Sequence, residues 1–392
     1  MKDICQIRIK KGREGAILRK HHWVFSGAVQ TIMGNPDDGD LVRVEDFKGQ
    51  FLAIGHYQQG SILVRIITFR ETEINPKFWE QKITEALILR QNLGLVDNAS
   101  TNAFRLINGE GDGLPGLIID VYNDCAVIQT HSYGMAKSSQ DIALGLKSVL
   151  GNRVETIYDK SKVLLGQNHE HQKEFLLGDK NNTTILENGN LFFVDWETGQ
   201  KTGFFLDQRE NRQLLSRFSE GKTILNAFCY SGGFSVYALM AGASHVDSVD
   251  ASQKAINWTN QNVVLNPSSG THDGVCMDVL KFLQSSTKDY DVMVLDPPAY
   301  AKRRSARHKA VQGYKRLNLE GIKKVKPGGI LFTFSCSQVV DRKLFRDTIL
   351  ASALEAGRPC RVIHELSQPA DHPINMFHPE GAYLKGLVLY LS

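Results

Sequence analysis

Thr223 to Asp250 read TILNAFCYSGGFSVYALMAGASHVDSVD. The 24 residues from Thr223 to Val246 hold no Asp, Glu, Lys or Arg. That is long enough to cross a bilayer as a helix. Asn226, Ser231, Ser235 and the pair Gly232-Gly233 interrupt the apolar run and argue against one membrane helix. A strand over TILNAF, a glycine turn, a helix over GGFSVYALMAGA and a second strand over HVDSVD fit better.

The same alternation continues downstream. SQKAINWTNQNVVLN reads as a helix, GVCMDV as a strand and LKFLQSS as a helix. YDVMVLDPPAY is a strand, YKRLNLEGIKKV a helix closed by KPGG, ILFTFSCS a strand and DRKLFRDTILASALEAG a helix. Strands alternating with helices predict a mostly parallel sheet covered on both faces. CRVIHELS and AYLKGLVLYLS follow with no helix between them, which predicts an antiparallel pair at the end of a seven-stranded, Rossmann-like α/β sheet. That is the architecture of class I methyltransferases.

Upstream the pattern differs. QIRIKK, DLVRVED, FLAIGHYQ and SILVRIITF alternate apolar and polar residues as strands do, with the turn NPDDGD between two of them. Residues 1–75 are therefore expected to form a small β-rich module. Residues 76–185 open on a helix, FWEQKITEALILRQNLGL, with Ile83, Leu87, Arg90 and Leu93 on related faces. A hairpin over Gly116–Val121 and CAVIQTHS follows, then a helix capped by Ser138 or Ser139 and a strand, RVETIYDKS. This is a central α+β domain without a catalytic motif. His169 and His171 form H-E-H, not the i,i+4 pair of a zinc protease, and are expected to be surface residues; no metal is expected.

A chain of 392 residues exceeds one ordinary core. The apolar content of 42% with 22% charged residues describes a globular, soluble protein. Forty-six Lys and Arg against 42 Asp and Glu leave a net charge of +4, which permits a polyanionic partner without demanding one. Six scattered cysteines with no CxxC pair suit a reducing, cytoplasmic location, and the start of the chain lacks the apolar region of a signal peptide.

In open α/β sheets ligands bind at the carboxyl ends of the strands. Here five successive strands are followed by Cys229-Tyr230-Ser231-Gly232, Asp250, Asp278, Asp296 and Cys336. A single Asp in such a place also serves as a helix N-cap, but five polar ends in register point to a site. Asp250 stands 18 residues past Gly232, where an acid grips ribose hydroxyls. The loop has neither GxGxxG nor GxxxxGK[ST], so it is not built for a pyrophosphate. S-adenosylmethionine, a nucleoside without phosphate, suits it better.

LDPPAY adds a stiff loop, because paired prolines fix φ and remove two N–H donors. A planar base placed against Pro298 and Tyr300 could donate its amine to Asp296, and Asp296 and Pro297 are also expected to border the cofactor. D/N-P-P-Y/F loops also occur in methyltransferases of base amino groups, so this loop does not choose the target atom. Cys336 bears on that choice: cytosine C5 becomes nucleophilic once a thiolate adds to C6. From Lys302 to Arg316 the chain has seven Lys and Arg, His308 and no acid. Lys302, Arg303 and Arg304 read as phosphate clamps for RNA, in a block of the kind that is often disordered. Trp23 beside Arg19-Lys20-His21-His22 reads as a stacking residue in a basic arm.

The long motifs KKGREGAILRKHHWVFSGAV, NGEGDGLPGLIIDVY, VDWETGQKTGFFLDQRENR, NAFCYSGGFSVYA, LDPPAYAK, FTFSCS and ADHP…HPEGAYLKG occur in one order over nearly the whole chain. On them the chain resembles the RlmI-type family of 23S ribosomal RNA (cytosine-C5) methyltransferases. The resemblance implies a PUA domain at 1–75, a central domain at 76–185 and a methyltransferase domain at 186–392. It implies Asp207, Gln208 and Arg209 at the amino-acid end of S-adenosylmethionine, Tyr230 and Gly232 flanking it, Asp250 on the ribose and Asp278 on the adenine. It implies Cys336 as nucleophile and 23S rRNA or a large-subunit precursor as substrate. The chain has Pro298 where better-known RNA cytosine-C5 enzymes carry a second cysteine, so the base that removes the C5 proton is unassigned. An amino-group methyltransferase using the DPPAY loop, and a non-enzymatic RNA-binding assembly factor, are the rival readings. Both a monomer and a homodimer are compatible with the sequence, and no membrane partner is expected.

Overall fold

A computed structural model describes residues 4–161, 174–301 and 303–392. The H-E-H segment and Lys302 lie outside the described residues. The chain divides into two compact units, one of residues 1–185, 194–206 and 370–381, the other of 186–193, 207–369 and 382–392.

The first unit begins with β1 (Cys5–Ile9), α1 (Gly15–Leu18), β2 (Trp23–Phe25), β3 (Val29–Met33), β4 (Leu41–Glu45), β5 (Phe51–Tyr57) and β6 (Ile62–Thr68). These strands form one six-stranded sheet in the order β2-β6-β5-β4-β1-β3. Period-two burial explains it: Ile7, Ile9, Val42, Val44, Ala53, Val64 and Ile66 share one apolar core. The four strands expected from alternation are present. β2 and β3 were not expected, being three residues and a mostly exposed VQTIM.

Next come α2 (Pro76–Asn92), β7 (Ala103–Asn108), β8 (Leu117–Tyr122), β9 (Cys125–Thr130), α3 (Tyr133–Lys137), α4 (Ser139–Leu150), β10 (Thr156–Asp159) and β11 (Glu174–Leu177). The sheet order is β11-β10-β9-β8-β7, with β8 and β9 as the expected hairpin. Asn75 caps α2 by accepting the Phe78 N–H, and Pro76 stands at the first helical position, where its missing N–H costs nothing. Ile83, Leu87 and Arg90 are buried, whereas Leu93 at the C-cap is exposed. Arg90 is wholly buried and is matched: Nη2 meets Asp112 Oδ2 at 2.9 Å and donates to the Asp371 carbonyl at 2.7 Å, and Nε donates to the Arg105 carbonyl at 2.7 Å. Ser138 sits at the N-cap of α4 but does not cap it; its hydroxyl donates to the Gly134 carbonyl at 2.9 Å. A hairpin of β12 (Asn182–Glu187) and β13 (Asn190–Asp195) follows.

The second unit contains α5 (Arg209–Ser216), β14 (Thr223–Ala227), α6 (Gly233–Met240), β15 (His245–Asp250), α7 (Gln253–Leu265), β16 (Thr271–Cys276), α8 (Val279–Ser285), β17 (Tyr290–Leu295), α9 (Arg307–Lys324), β18 (Val325–Ser335), α10 (Arg342–Glu355), β19 (Cys360–Leu366) and β20 (Lys385–Leu391). The seven-stranded sheet runs β16-β15-β14-β17-β18-β20-β19. β14 to β18 are mutually parallel, and β20 is antiparallel to both β18 and β19. Alternate residues feed opposite faces. Leu225, Met293, Leu295 and Leu331 enter one apolar cluster, and Ile224, Val292, Val294, Ile330 and Phe332 enter the other. Burial on both faces is what a parallel sheet requires, and it accounts for the near-continuous hydrophobic runs in these strands. α9 starts at Arg307, seven residues before the expected Tyr314, so much of the basic block is an ordered helix rather than a disordered segment.

Candidate active site

The sheet order sets the carboxyl ends side by side: Asp278 after β16, Asp250 at the end of β15, the Phe228–Gly232 turn after β14, Asp296 after β17 and Cys336 after β18. The register keeps them level, with Asp250 opposite Cys276 and Leu295 opposite both Ala227 and Thr333. The five strand ends read from the sequence therefore form one edge.

The turn after β14 is strained. Phe228 and Tyr230 have φ of 62° and 49°, and Gly232 has 75°. A left-handed non-glycine residue costs roughly 1–3 kcal/mol, held only where the surroundings over-determine it. Here α7 does so: Thr259 Oγ1 donates to the Tyr230 carbonyl at 3.0 Å and Asn262 Nδ2 to the Ser231 carbonyl at 2.8 Å. A Cβ on Gly232 would stand 2.6 Å from Thr259 Cγ2 and 3.1 Å from its Cα, so glycine is required there. The Gly232 N–H is engaged with the Cys229 carbonyl at 2.8 Å, which leaves it no part in a phosphate cradle.

Asp250 Oδ2 accepts the Tyr230 N–H at 3.1 Å and Oδ1 the Ser252 N–H at 2.9 Å. It ties two edge loops together, and Ser252, not Asp250, is the N-cap of α7. Asp278 is an exposed N-cap of α8, accepting the Lys281 N–H at 2.9 Å.

Asp296 is joined to the segment before α5. Gln208 Nε2 donates to Asp296 Oδ2 at 3.0 Å, and Asn211 Nδ2 donates to Gln208 Oε1 at 2.6 Å, fixing the amide. Asp207 Oδ2 accepts the Tyr383 hydroxyl at 2.7 Å, while Asp207 Oδ1 is buried and finds no hydrogen-bond partner among the described residues. Arg209 is buried at the start of α5. Burial, then the nearby Asp207 charge, push the Asp296 carboxyl up to about 7; the Gln208 hydrogen bond partly opposes them.

Cys336 is half-buried. Burial, then the Asp296 and Asp207 charges, push its thiol up to about 11, against the pull of Lys385. Pro297 is buried and Pro298 exposed. Tyr300 has its ring 4.7 Å from that of buried Tyr314, so one side of it is engaged. Arg303 and Arg304 are exposed. Trp23 belongs to the first unit, where its indole N–H donates to Glu110 Oε1 at 2.8 Å and its ring meets His378 edge-on at 4.4 Å.

Tyr383, Lys385 and Asn211 were missed from the sequence. Tyr383 and Lys385 sit two apart in AYLKGL, a spacing that puts both on one side of an extended chain; that was the available signal. Asn211 carried none.

The edge suits a nucleoside with a cationic tail and no phosphate: an unpartnered buried oxygen of Asp207 awaits a donor, Asp296 lies near it, and the Gly232 N–H is already engaged within the turn. The comparisons agree. Residues 162–388 match the S-adenosylmethionine-dependent methyltransferase family, and residues 7–69 match a PUA-like domain. The ribosomal RNA large subunit methyltransferase I of Aeromonas hydrophila is 39% identical, over 98% of this chain and 99% of its own. That of Pseudoalteromonas translucida is 38% identical, over 97% and 98%. A putative SAM-dependent methyltransferase from Streptococcus mutans shares the fold, with a TM-score of 0.82 at 22% identity over 98% of this chain and 99% of that one. The chain belongs to the S-adenosylmethionine-dependent methyltransferases, in the family of these large subunit methyltransferase I relatives.

Proposed function

We propose that the chain methylates C5 of a cytosine in 23S ribosomal RNA, free or in a large-subunit precursor, through a covalent adduct on Cys336. The observation that carries this reading is the adjacency of the Cys336 thiol, at the end of β18, to the Asp296-Pro297-Pro298 loop at the end of β17. The names of the relatives, which speak of large-subunit ribosomal RNA, support the substrate class.

When bound, S-adenosylmethionine supplies an electrophilic methyl group. Asp207, with its unpartnered oxygen, would take the ammonium at the amino-acid end, alongside Gln208 and Arg209. Tyr230 and Gly232 would flank the nucleoside, Asp250 would take the ribose and Asp278 the adenine amine. Pro298 and Tyr300 would border the target base. Lys302, Arg303 and Arg304 would meet RNA phosphates, and Trp23 would stack a base.

The chemistry then falls to Cys336 and Asp296. The Cys336 thiol gives up its proton to solvent, the thiolate sulfur bonds to C6, and the C5–C6 π pair becomes available at C5. A carboxyl poised near neutrality suits the first step, because protonated Asp296 can donate to cytosine N3 and draw electrons from C6. C5 gains the methyl group as the methyl–sulfonium bond breaks and then loses its proton to a base; N3 returns its proton to Asp296, and the bond from Cys336 to C6 breaks as the C5–C6 double bond returns. With Pro298 where a second thiol would stand, that base is water or a carboxylate. A three-part division at residues 75 and 185 and a cytoplasmic location go with this reading.

Incubation with S-adenosylmethionine and unmodified 23S rRNA, followed by nucleoside mass spectrometry, tests it. We expect 5-methylcytidine, lost in Cys336→Ala while cofactor binding persists. A methylated adenine or guanine, or full activity in Cys336→Ala, overturns the covalent reading. No cofactor affinity in the wild type, or affinity untouched by Asp250→Ala, counts against the assigned pocket.

A further inference from the structure

Lys385 is the first residue of β20 and is 5% exposed. It lies directly across the antiparallel pair from Ser335, the residue before Cys336. Its Nζ donates to the carbonyl of Ser337, the residue after Cys336, at 2.7 Å. Ser337 is fixed in turn, its hydroxyl donating to the Ala301 carbonyl at 2.7 Å, beyond the DPP loop. Lys385 thus holds the backbone on both sides of the thiol, through its own strand pairing at Ser335 and through its ammonium at Ser337.

The charges around the pair are unequal. Cys336 faces the carboxylates of Asp296, after β17, and Asp207, before α5; Lys385 is the cation that opposes them. The Tyr314 hydroxyl of α9 is within electrostatic range of the thiol, and burial pushes it up to about 12, so it is neutral at working pH. Lys385 is faced by Cys336 and by Asp341 and Arg342 at the start of α10. The Asp207 charge, joined by that of Asp296 when it is ionised, opposes a nucleophile that must itself become negative, and the positive charge of Lys385 offsets it.

We infer that Lys385 is the positioning residue of the Cys336 nucleophile: its ammonium fixes the Ser335–Ser337 turn and supplies the charge against which the thiolate forms. The inference rests on the covalent reading of Cys336. Burial draws the ammonium down to about 8, so the charge is present at neutral pH and is lost above it. Lys385 also supplies a second feature, a hydrogen bond to a carbonyl, and the two roles separate by substitution. Glutamine keeps an N–H donor and loses the charge; methionine loses both.

The test is the rate of Cys336 alkylation by iodoacetamide against pH, read by peptide mass spectrometry on the full chain, with exposed Cys276 as internal reference. In Lys385→Met and Lys385→Gln we expect Cys336 alkylation at pH 7.5 to fall by about tenfold, the effect of one unit of thiol pKa, while Cys276 alkylation is unchanged. Wild-type rates in Lys385→Gln overturn the inference and leave Lys385 a backbone tether. If neither variant folds, the curve of Asp296→Asn, in which that carboxyl no longer titrates, decides. A rise between pH 7 and 9 shallower than one ionisation supports the charge role, and a simple one-proton rise overturns it. Failure of 5-methylcytidine formation strikes the covalent reading instead, so the two ideas fail separately.

Discussion

Gln208 donates through Nε2 to Asp296 Oδ2 at 3.0 Å, across 88 residues of chain. The bond brings the carboxyl to one orientation and favours its ionised form, while burial and Asp207 favour the neutral one. Gln208→Leu removes that restraint. The Asp296 carboxyl should move further above neutrality, and methyl transfer should fall about tenfold or more, as expected for a misplaced catalytic carboxyl. Steady-state rates across pH 6 to 9 check it; an unchanged profile sinks the link between Gln208 and Asp296.

Asp296 also makes stability depend on pH. Its folded carboxyl titrates near 7, above the value near 4 of an unfolded aspartate. Between those values the folded chain holds a proton that the unfolded chain has lost. This group's contribution is therefore fully present below about pH 4 and declines as pH rises toward 7, by at most about 1.4 kcal/mol per pH unit. Asp296→Asn abolishes the decline. Urea midpoints at pH 5 and pH 8 should show the variant gaining on wild type at the higher pH; equal gaps at both would contradict the prediction.

Gly232→Ala places a Cβ against Thr259 at a backbone angle that L side chains rarely adopt. We expect a loss of about 1–3 kcal/mol in stability and weaker S-adenosylmethionine binding, because the turn after β14 must shift. Denaturant midpoints and calorimetric titration measure the two effects. Thr259→Ser in the same chain relieves part of the clash and should recover part of the stability.

In the first unit, Arg90→Met should be among the most destabilising single changes. It strands the Asp112 carboxylate, 5% exposed, without its cation. Breaking a buried pair from one side costs about 3–5 kcal/mol. The double change Arg90→Met with Asp112→Asn leaves no orphan charge and should recover more than half of the loss. Thermal melts of the single and double variants decide it.

The parallel sheet was legible chiefly from β14, β17 and β18, which are buried on both faces and read as apolar runs. Asp296 stands out for that reason, the first charged group after the apolar run of β17, and Cys336 stands just past the run of β18. Residues acting from another part of the chain carry no such mark. Gln208 lies 88 residues from the carboxyl it orients, and Tyr383 lies 176 from Asp207. Their roles come from tertiary packing, which periodicity does not encode. β2 and β3 escaped notice for a different reason: neither has the buried alternation that reveals a half-covered strand. The helical start of α9 was hidden by charge, since Arg307 to Lys309 form the solvated first turn of a helix whose apolar face begins at Ala310.

The position of β20 between β18 and β19 sets an order of events during synthesis. β18 can pair with β17 as soon as it emerges, but its other edge waits for residues 385–391. Fifty residues separate Ser335 from its partner Lys385, about 3–10 s of elongation at bacterial-like rates. During that interval β18 presents an open apolar edge, the kind on which chains misassociate. The thiol-bearing turn is also made before the cation across from it arrives. The nucleophile and its counter-charge come together only when the sheet closes.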